Sequence, residues 1–134
     1  MKLTERKATE QQLSEIADMM IHPMGFVNLD FNDVRLAIKD RKGVIYQAVN
    51  DTDEDNQTFL KSFFSEMQKT DIVNTYDRVL LQLGFPEDKP LMMDDLHSVN
   101  QFFQDIDPTE IRWGVYSKPA GEPASIDLLC TKPL

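Results

Sequence analysis

Apolar positions recur along the chain with two periods, and the alternation between them sets the order of elements. Leu13, Ile16, Ala17 and Met20 fall on one helical stripe, and Thr9 with Gln12 has the spacing of a capping box, so a helix is expected from Thr9 to Ile21, closed by His22-Pro23. After Met24 to Leu29, Asp30 has the chemistry of an N-cap and Phe31, Val34, Ala37 and Ile38 share the apolar face of a second helix. Arg41 and Lys42 suit its negative end, and Gly43 reads as its stop. Val44 to Val49 is strand-like, with β-branched and aromatic residues between Gly43 and a polar cluster. Phe59, Phe63 and Met67, flanked by Leu60 and Phe64, give a third helix.

Arg78 to Leu83 reads as a buried strand closed by Gly84-Phe85-Pro86, and Met92, Leu96, Val99 and Phe103 mark one face of a fourth helix. Ile111 to Ser117 and Ser125 to Thr131 are two further strands, and the Pro- and Gly-bearing turn between them reads as a hairpin. The order is thus α-α-β-α-β-α-β-β. Strands joined through helices should run parallel and the hairpin should add an antiparallel pair, so the expected fold is α/β, a two-layer sandwich with a mixed four-stranded sheet. The inward stripes place Phe59, Phe63, Leu80, Leu96, Val99, Phe103, Ile111 and Leu128 in the core.

Composition narrows the function. With 134 residues and 41% hydrophobic content the chain has the makings of one core, and no linker or repeat divides it. Acidic residues outnumber basic ones by 23 to 14, a net charge of −9 that repels a phosphate backbone, so no nucleic-acid partner is expected. No apolar run approaches the roughly 18 residues of a membrane span, and Met1 to Lys7 leads into a polar helix instead of an apolar signal core, so a cytoplasmic location is expected. One cysteine, Cys130, and two histidines, His22 and His97, cannot assemble a Cys/His zinc set or an internal disulfide.

Five scattered glycines form no loop able to wrap a phosphate, so neither a nucleotide nor any other cofactor is expected on this chain alone. Asp51, Asp53 and Asp55 begin like a calcium loop, but the sixth position is Asn56 where glycine is needed and the twelfth is Ser62 where glutamate is needed. Asp53, Glu54 and Asp55 are therefore read as capping the third helix, with no metal site. The informative stretch is Gly25 to Val34, where Asn28, Asp30 and Asp33 gather at the junction of a loop and a helix start. Capping accounts for such residues. Asp30 and Asp33 are also one turn apart, so one can cap while the other points at a partner's ligand.

This stretch, with the helix before it, resembles FtsZ, the bacterial relative of tubulin. Ile16 to Pro23 looks like the end of that family's central helix, and Asn28-Leu29-Asp30-Phe31-Asn32-Asp33-Val34 matches its synergy-loop pattern, Asn-x-Asp-Phe-x-Asp-Val. Val79-Leu80-Leu81-Gln82-Leu83, Asp94-Asp95-Leu96 and Trp113-Gly114-Val115 fall in order where the family has a buried strand, a helix start and a later strand. The resemblance covers nearly the whole chain but only the second half of the family's protein. Two details depart from it: Lys42 to Tyr46 runs straight into a strand where the family has a Gly- and Met-rich stretch, and the chain finishes Cys130-Thr131-Lys132 where the family tends to end in Thr-Gly.

The resemblance implies a single FtsZ-like C-terminal domain over residues 1–134. Residues 1–22 would end the central helix, 23–42 hold the synergy loop and its helix, and 43–134 form the sheet with two helices. It further implies activation across a subunit contact, in which Asp30 and Asp33 position water beside a neighbour's GTP and Asn28 orients the site by hydrogen bonds. The expected partner is an FtsZ-like GTPase subunit or filament end, with no GTPase activity in this chain alone. The alternative is a regulatory binding module that kept the fold and takes a small ligand or protein partner at its sheet edge.

Overall fold

The computed structural model describes residues 1–20, 25–27, 31–70, 72–106 and 110–134. Its centre is a six-stranded mixed sheet built from β1 (Lys2–Ala8), β2 (Gly25–Val27), β3 (Arg41–Val49), β4 (Arg78–Pro86), β5 (Glu110–Lys118) and β6 (Ser125–Pro133), in the order β1-β3-β6-β4-β5-β2. The helices are α1 (Glu10–Met20), α2 (Phe31–Ile38), α3 (Asn56–Gln68), the single turn α4 (Ile72–Thr75) and α5 (Leu96–Ile106), the last preceded by a 3₁₀ turn over Met93–Asp95.

The four strands expected from the sequence are the four central ones, and the sheet has six because each edge carries one more. β1 escapes notice because Lys2, Glu5, Arg6 and Lys7 are exposed on it, giving no apolar alternation, and β2 is only three residues long. Such a short or charged edge is a poor template for unwanted pairing. The expected hairpin is a second correction. β5 and β6 are not neighbours, because β4 lies between them, parallel to β5 and antiparallel to β6, and Gly84 pairs with both Tyr116 and Ser125. The turn over 119–124 therefore spans the end of β4. β6 is antiparallel as expected, but its partners are β3 and β4.

Strand alternation divides the core by face. Val44, Tyr46 and Ala48 join Val79, Leu81, Leu83, Ile126 and Leu128 against α3 and α5, where Phe59, Leu60, Phe63, Phe64, Val99 and Phe102 are buried. Ile45, Leu80 and Leu129 face the other way, against Leu13 and Ile16 of α1 and Ala37 of α2. The sandwich thus gains a third, partial layer. On α5 the inward residue is Phe102, 1% exposed and stacked on Phe64 with ring centroids 4.4 Å apart, whereas Phe103 is only partly buried. Leu96 and Ile111, also assigned to the core, are half-buried, and Phe59, Phe63, Leu80, Val99 and Leu128 are buried as expected.

Gly43 does not stop a helix. It lies inside β3, where an added Cβ would stand 2.1 Å from the Cys130 carbonyl oxygen. The helix stop is Asp40, with φ of 55°, in the left-handed region where Asp is tolerated better than most residues. Among the described residues no helix is long and apolar enough to cross a membrane.

Candidate functional site

The elements that frame the candidate loop are fixed at both ends. α1 opens with the expected capping box: the Thr9 backbone N–H donates to Gln12 Oε1 at 3.0 Å and the Gln12 N–H to Thr9 Oγ1 at 3.4 Å. Leu13 and Ile16 then seat the helix on the sheet. Beyond it, β2 pairs antiparallel with β5, Gly25 opposite Tyr116 and Val27 opposite Val115, with a register shift between the two pairs.

α2 starts at Phe31. Its C-terminal end is held tightly, since the Leu36 carbonyl accepts from Arg78 and the Ala37 carbonyl accepts from Thr131 Oγ1 at 2.7 Å. Arg41, expected at a helix end, is instead a buried strand residue. Its Nε donates to Thr131 Oγ1 at 2.9 Å and its Nη2 to the Thr131 carbonyl at 3.0 Å, and Nη2 also pairs with Asp77. The Leu134 N–H donates to the Asp40 carbonyl at 3.2 Å, closing the C-terminus onto the same corner.

Of the three residues singled out from the sequence, Asn28 and Asp30 lie outside the described residues. Asp33 is placed by its backbone in the first turn of α2, third residue from the start, where the helix dipole favours a carboxylate. His22 and Pro23 also lie outside the described residues.

The acidic segment after β3 resolves into three separate contacts. Asp51 pairs with the Met1 ammonium at 3.0 Å, Asp53 with Lys89, and Asp55 is the N-cap of α3, accepting from the Thr58 N–H at 2.7 Å. The hydrogen bonds from Thr58 hold the Asp55 carboxyl below its ordinary pKa, and the bond from the N-terminus does the same for Asp51. Asn50 closes the loop, donating to the Glu54 carbonyl at 2.7 Å and accepting from the Glu54 N–H at 3.1 Å. Among the described residues no cluster of His, Cys, Asp and Glu is arranged to hold a metal ion. Cys130 is fully buried, and burial pushes its thiol pKa up, away from nucleophilic chemistry.

Sequence reasoning passed over a polar belt on the α1/α2 face of the sheet. Gln47 Nε2 donates to Asp127 Oδ1 at 3.0 Å, and the adjacent Gln82 is 2% exposed with its Oε1 unpaired. The signal for it was the break in apolar alternation after Ile45, Leu80 and before Leu129.

No family model matches the sequence, and no curated protein matches it. Solved structures do. The empty FtsZ dimer of M. jannaschii matches over 84% of this chain with 17% identity and a TM-score of 0.56, and a Trp-to-Tyr variant of M. jannaschii FtsZ over 85% with 19% identity and a TM-score of 0.56. CetZ1 from Haloferax volcanii, a GDP-bound monomer, matches over 76% with 14% identity and a TM-score of 0.51. The chain spans about a third of the length of these proteins, 34%, 35% and 33% in turn. At such identities the likeness is one of fold, and it agrees with the strand and helix order. The chain has the mixed-sheet α/β fold of the FtsZ C-terminal domain.

Proposed function

We propose that this chain is a polymer-contact domain of the FtsZ/tubulin kind, presenting the loop of Asn28, Asp30 and Asp33 to a nucleotide held by a neighbouring GTPase subunit. The reading rests on one conjunction: the segment that carries the Asn-x-Asp-Phe-x-Asp-Val pattern leads into α2 of a fold shared with FtsZ. Either feature alone is weak, since acidic residues at helix starts are common and the fold hosts more than one activity.

In this reading Asp30 and Asp33 position or polarise the water that attacks the γ-phosphate, and Asn28 orients the loop. Phosphoryl transfer demands mainly positioning, and a carboxylate brought beside a phosphate must be held there by a docked surface or a metal against like-charge repulsion. The anchored C-terminal end of α2, tied through Leu36, Ala37 and the Arg41 cluster, is the kind of support such a loop requires. The 134 residues hold no phosphate-wrapping glycine loop, and the reading sets their contribution against a nucleotide that a neighbouring subunit holds.

Sedimentation with filaments of the FtsZ-type GTPase from the same organism tests the partner. Cosedimentation that depends on GTP is expected. Recovery of the domain in the supernatant at all filament concentrations would overturn the reading.

A further inference from the structure

On the α3/α5 side, the far end of the sheet opens into an apolar cavity of about 460 Å³, walled by Phe85, Leu91, Leu96, Trp113 and Val115. It extends the core outward, because Phe85, Trp113 and Val115 lie on the face that packs α3 and α5. The Trp113 ring is braced from below by Phe103, their centroids 6.3 Å apart. This volume lies within the usual range of about 300–1,000 Å³ for ligand pockets.

Two further observations specify the occupant. First, exposed apolar side chains follow the cavity wall directly along the chain. Met92 and Met93 directly follow the lining residue Leu91 and are 62% and 79% exposed, two of the four large hydrophobic side chains left exposed among the described residues. Exposed methionines beside a pocket adapt to varied apolar side chains.

Second, acidic charge predominates around it. Among the described residues Glu87 is the one charged residue on the lining, and Asp94 is exposed in the turn that leads into α5. Of the two neighbouring lysines, Lys89 is offset by its pairing with Asp53, while Lys118, whose Nζ donates to the neutral Pro123 carbonyl at 2.7 Å and to Ser125 Oγ at 3.3 Å, keeps its charge against those of Glu87 and Asp94. The chain as a whole carries −9.

We infer that this cavity and its methionine rim are a docking site for a basic peptide segment of a partner protein, which seats one large apolar side chain against Trp113 and sets a Lys or Arg against Glu87. The extended apolar rim favours a segment with more than one apolar residue over a compact small molecule, which the cavity alone would hold. Electrostatic attraction would speed the encounter and select the sign of the partner, while the apolar anchor supplies most of the affinity.

Trp113 is the chain's single tryptophan, so its fluorescence reports on the site directly. The probe is a tryptophan-free ten-residue peptide alternating Leu or Phe with Lys or Arg, compared with the same peptide carrying Glu at every basic position and with phenethylamine. Saturable quenching or a blue shift with the basic peptide is expected, with little response to the acidic one. Glu87 is exposed, so Glu87→Gln should leave the circular dichroism unchanged and weaken the basic peptide about threefold. Leu91→Lys should abolish the response. Equal binding of both peptides, no change in Trp113 emission at saturating basic peptide, unchanged affinity in Glu87→Gln, or phenethylamine reproducing the whole response at the same concentration would each overturn the assignment.

Discussion

Replacing Phe102 and Phe103 one at a time by alanine tests the packing of α5, since these adjacent residues differ sharply in what the sheet demands of them. Phe102 is 1% exposed and its ring stacks on Phe64 at 4.4 Å with an interplanar angle of 19°. Truncation removes a ring enclosed by α3 and the sheet, so Phe102→Ala should cost about 3–5 kcal/mol in transfer and cavity terms. Phe103 is partly buried and touches Trp113 at the margin, with centroids 6.3 Å apart and an interplanar angle of 58°. Solvent already reaches part of this ring, so Phe103→Ala should cost about 1–2 kcal/mol. Urea titration followed by circular dichroism measures both, with the m-value as the check that unfolding remains comparable. For a domain of this size each kcal/mol moves Tm by roughly 3–5 °C, so a thermal melt should separate the variants clearly. Equal losses, or a larger loss for Phe103→Ala, would refute the register of α5 against the sheet.

Three further outcomes follow from particular contacts. Gly43→Ala should cost about 3 kcal/mol or more, because the new methyl meets backbone at the Cys130 carbonyl and β3 and β6 cannot both keep their register; unchanged denaturant stability would contradict it. Arg41→Met keeps the buried stem but loses the bonds to Thr131 and Asp77, and should cost about 2–3 kcal/mol by the same assay, with a smaller loss in Asp77→Asn, whose side chain is half-exposed. Calcium titrated into the protein should give no micromolar isotherm and no rise in Tm, because Asp51, Asp53 and Asp55 are turned to three different partners.

What could be read from the sequence was local. Phe59, Phe63 and Met67 repeat with the helical period and are buried, the Thr9 and Gln12 box closes as its spacing predicts, and Asp55 caps α3. Features that depend on distant partners were hidden. The turn after Lys118 signals a tight reversal but carries no information that β4 would lie between the two strands it joins. Arg41 looks like any cation after a helix until Thr131, 90 residues away, supplies its acceptors. Phe102 and Phe103 are equally apolar, and only the orientation of α5 on the sheet decides which turns inward. The loop pattern was legible as residues and spacing, and the structure adds that Asp33 falls in the first turn of an anchored helix. The cavity beside Trp113 had no sequence signature, since its walls come from β4, the segment after it, α5 and β5.

The central claim concerns charge presented by the Asp33 carboxylate to a neighbour's GTP, and phosphate release measures it most directly. Wild-type domain or Asp33→Asn is mixed with the GTP-loaded FtsZ-type GTPase of the same organism, with binding of each quantified in parallel. Asn is close to Asp in size and in its preference for helix starts, so the stability of Asp33→Asn should stay close to that of the wild type. The account predicts that wild-type domain changes the rate of phosphate release and that Asp33→Asn binds equally well yet loses this effect. Indistinguishable rates with both proteins bound would contradict it and leave the loop a purely structural role.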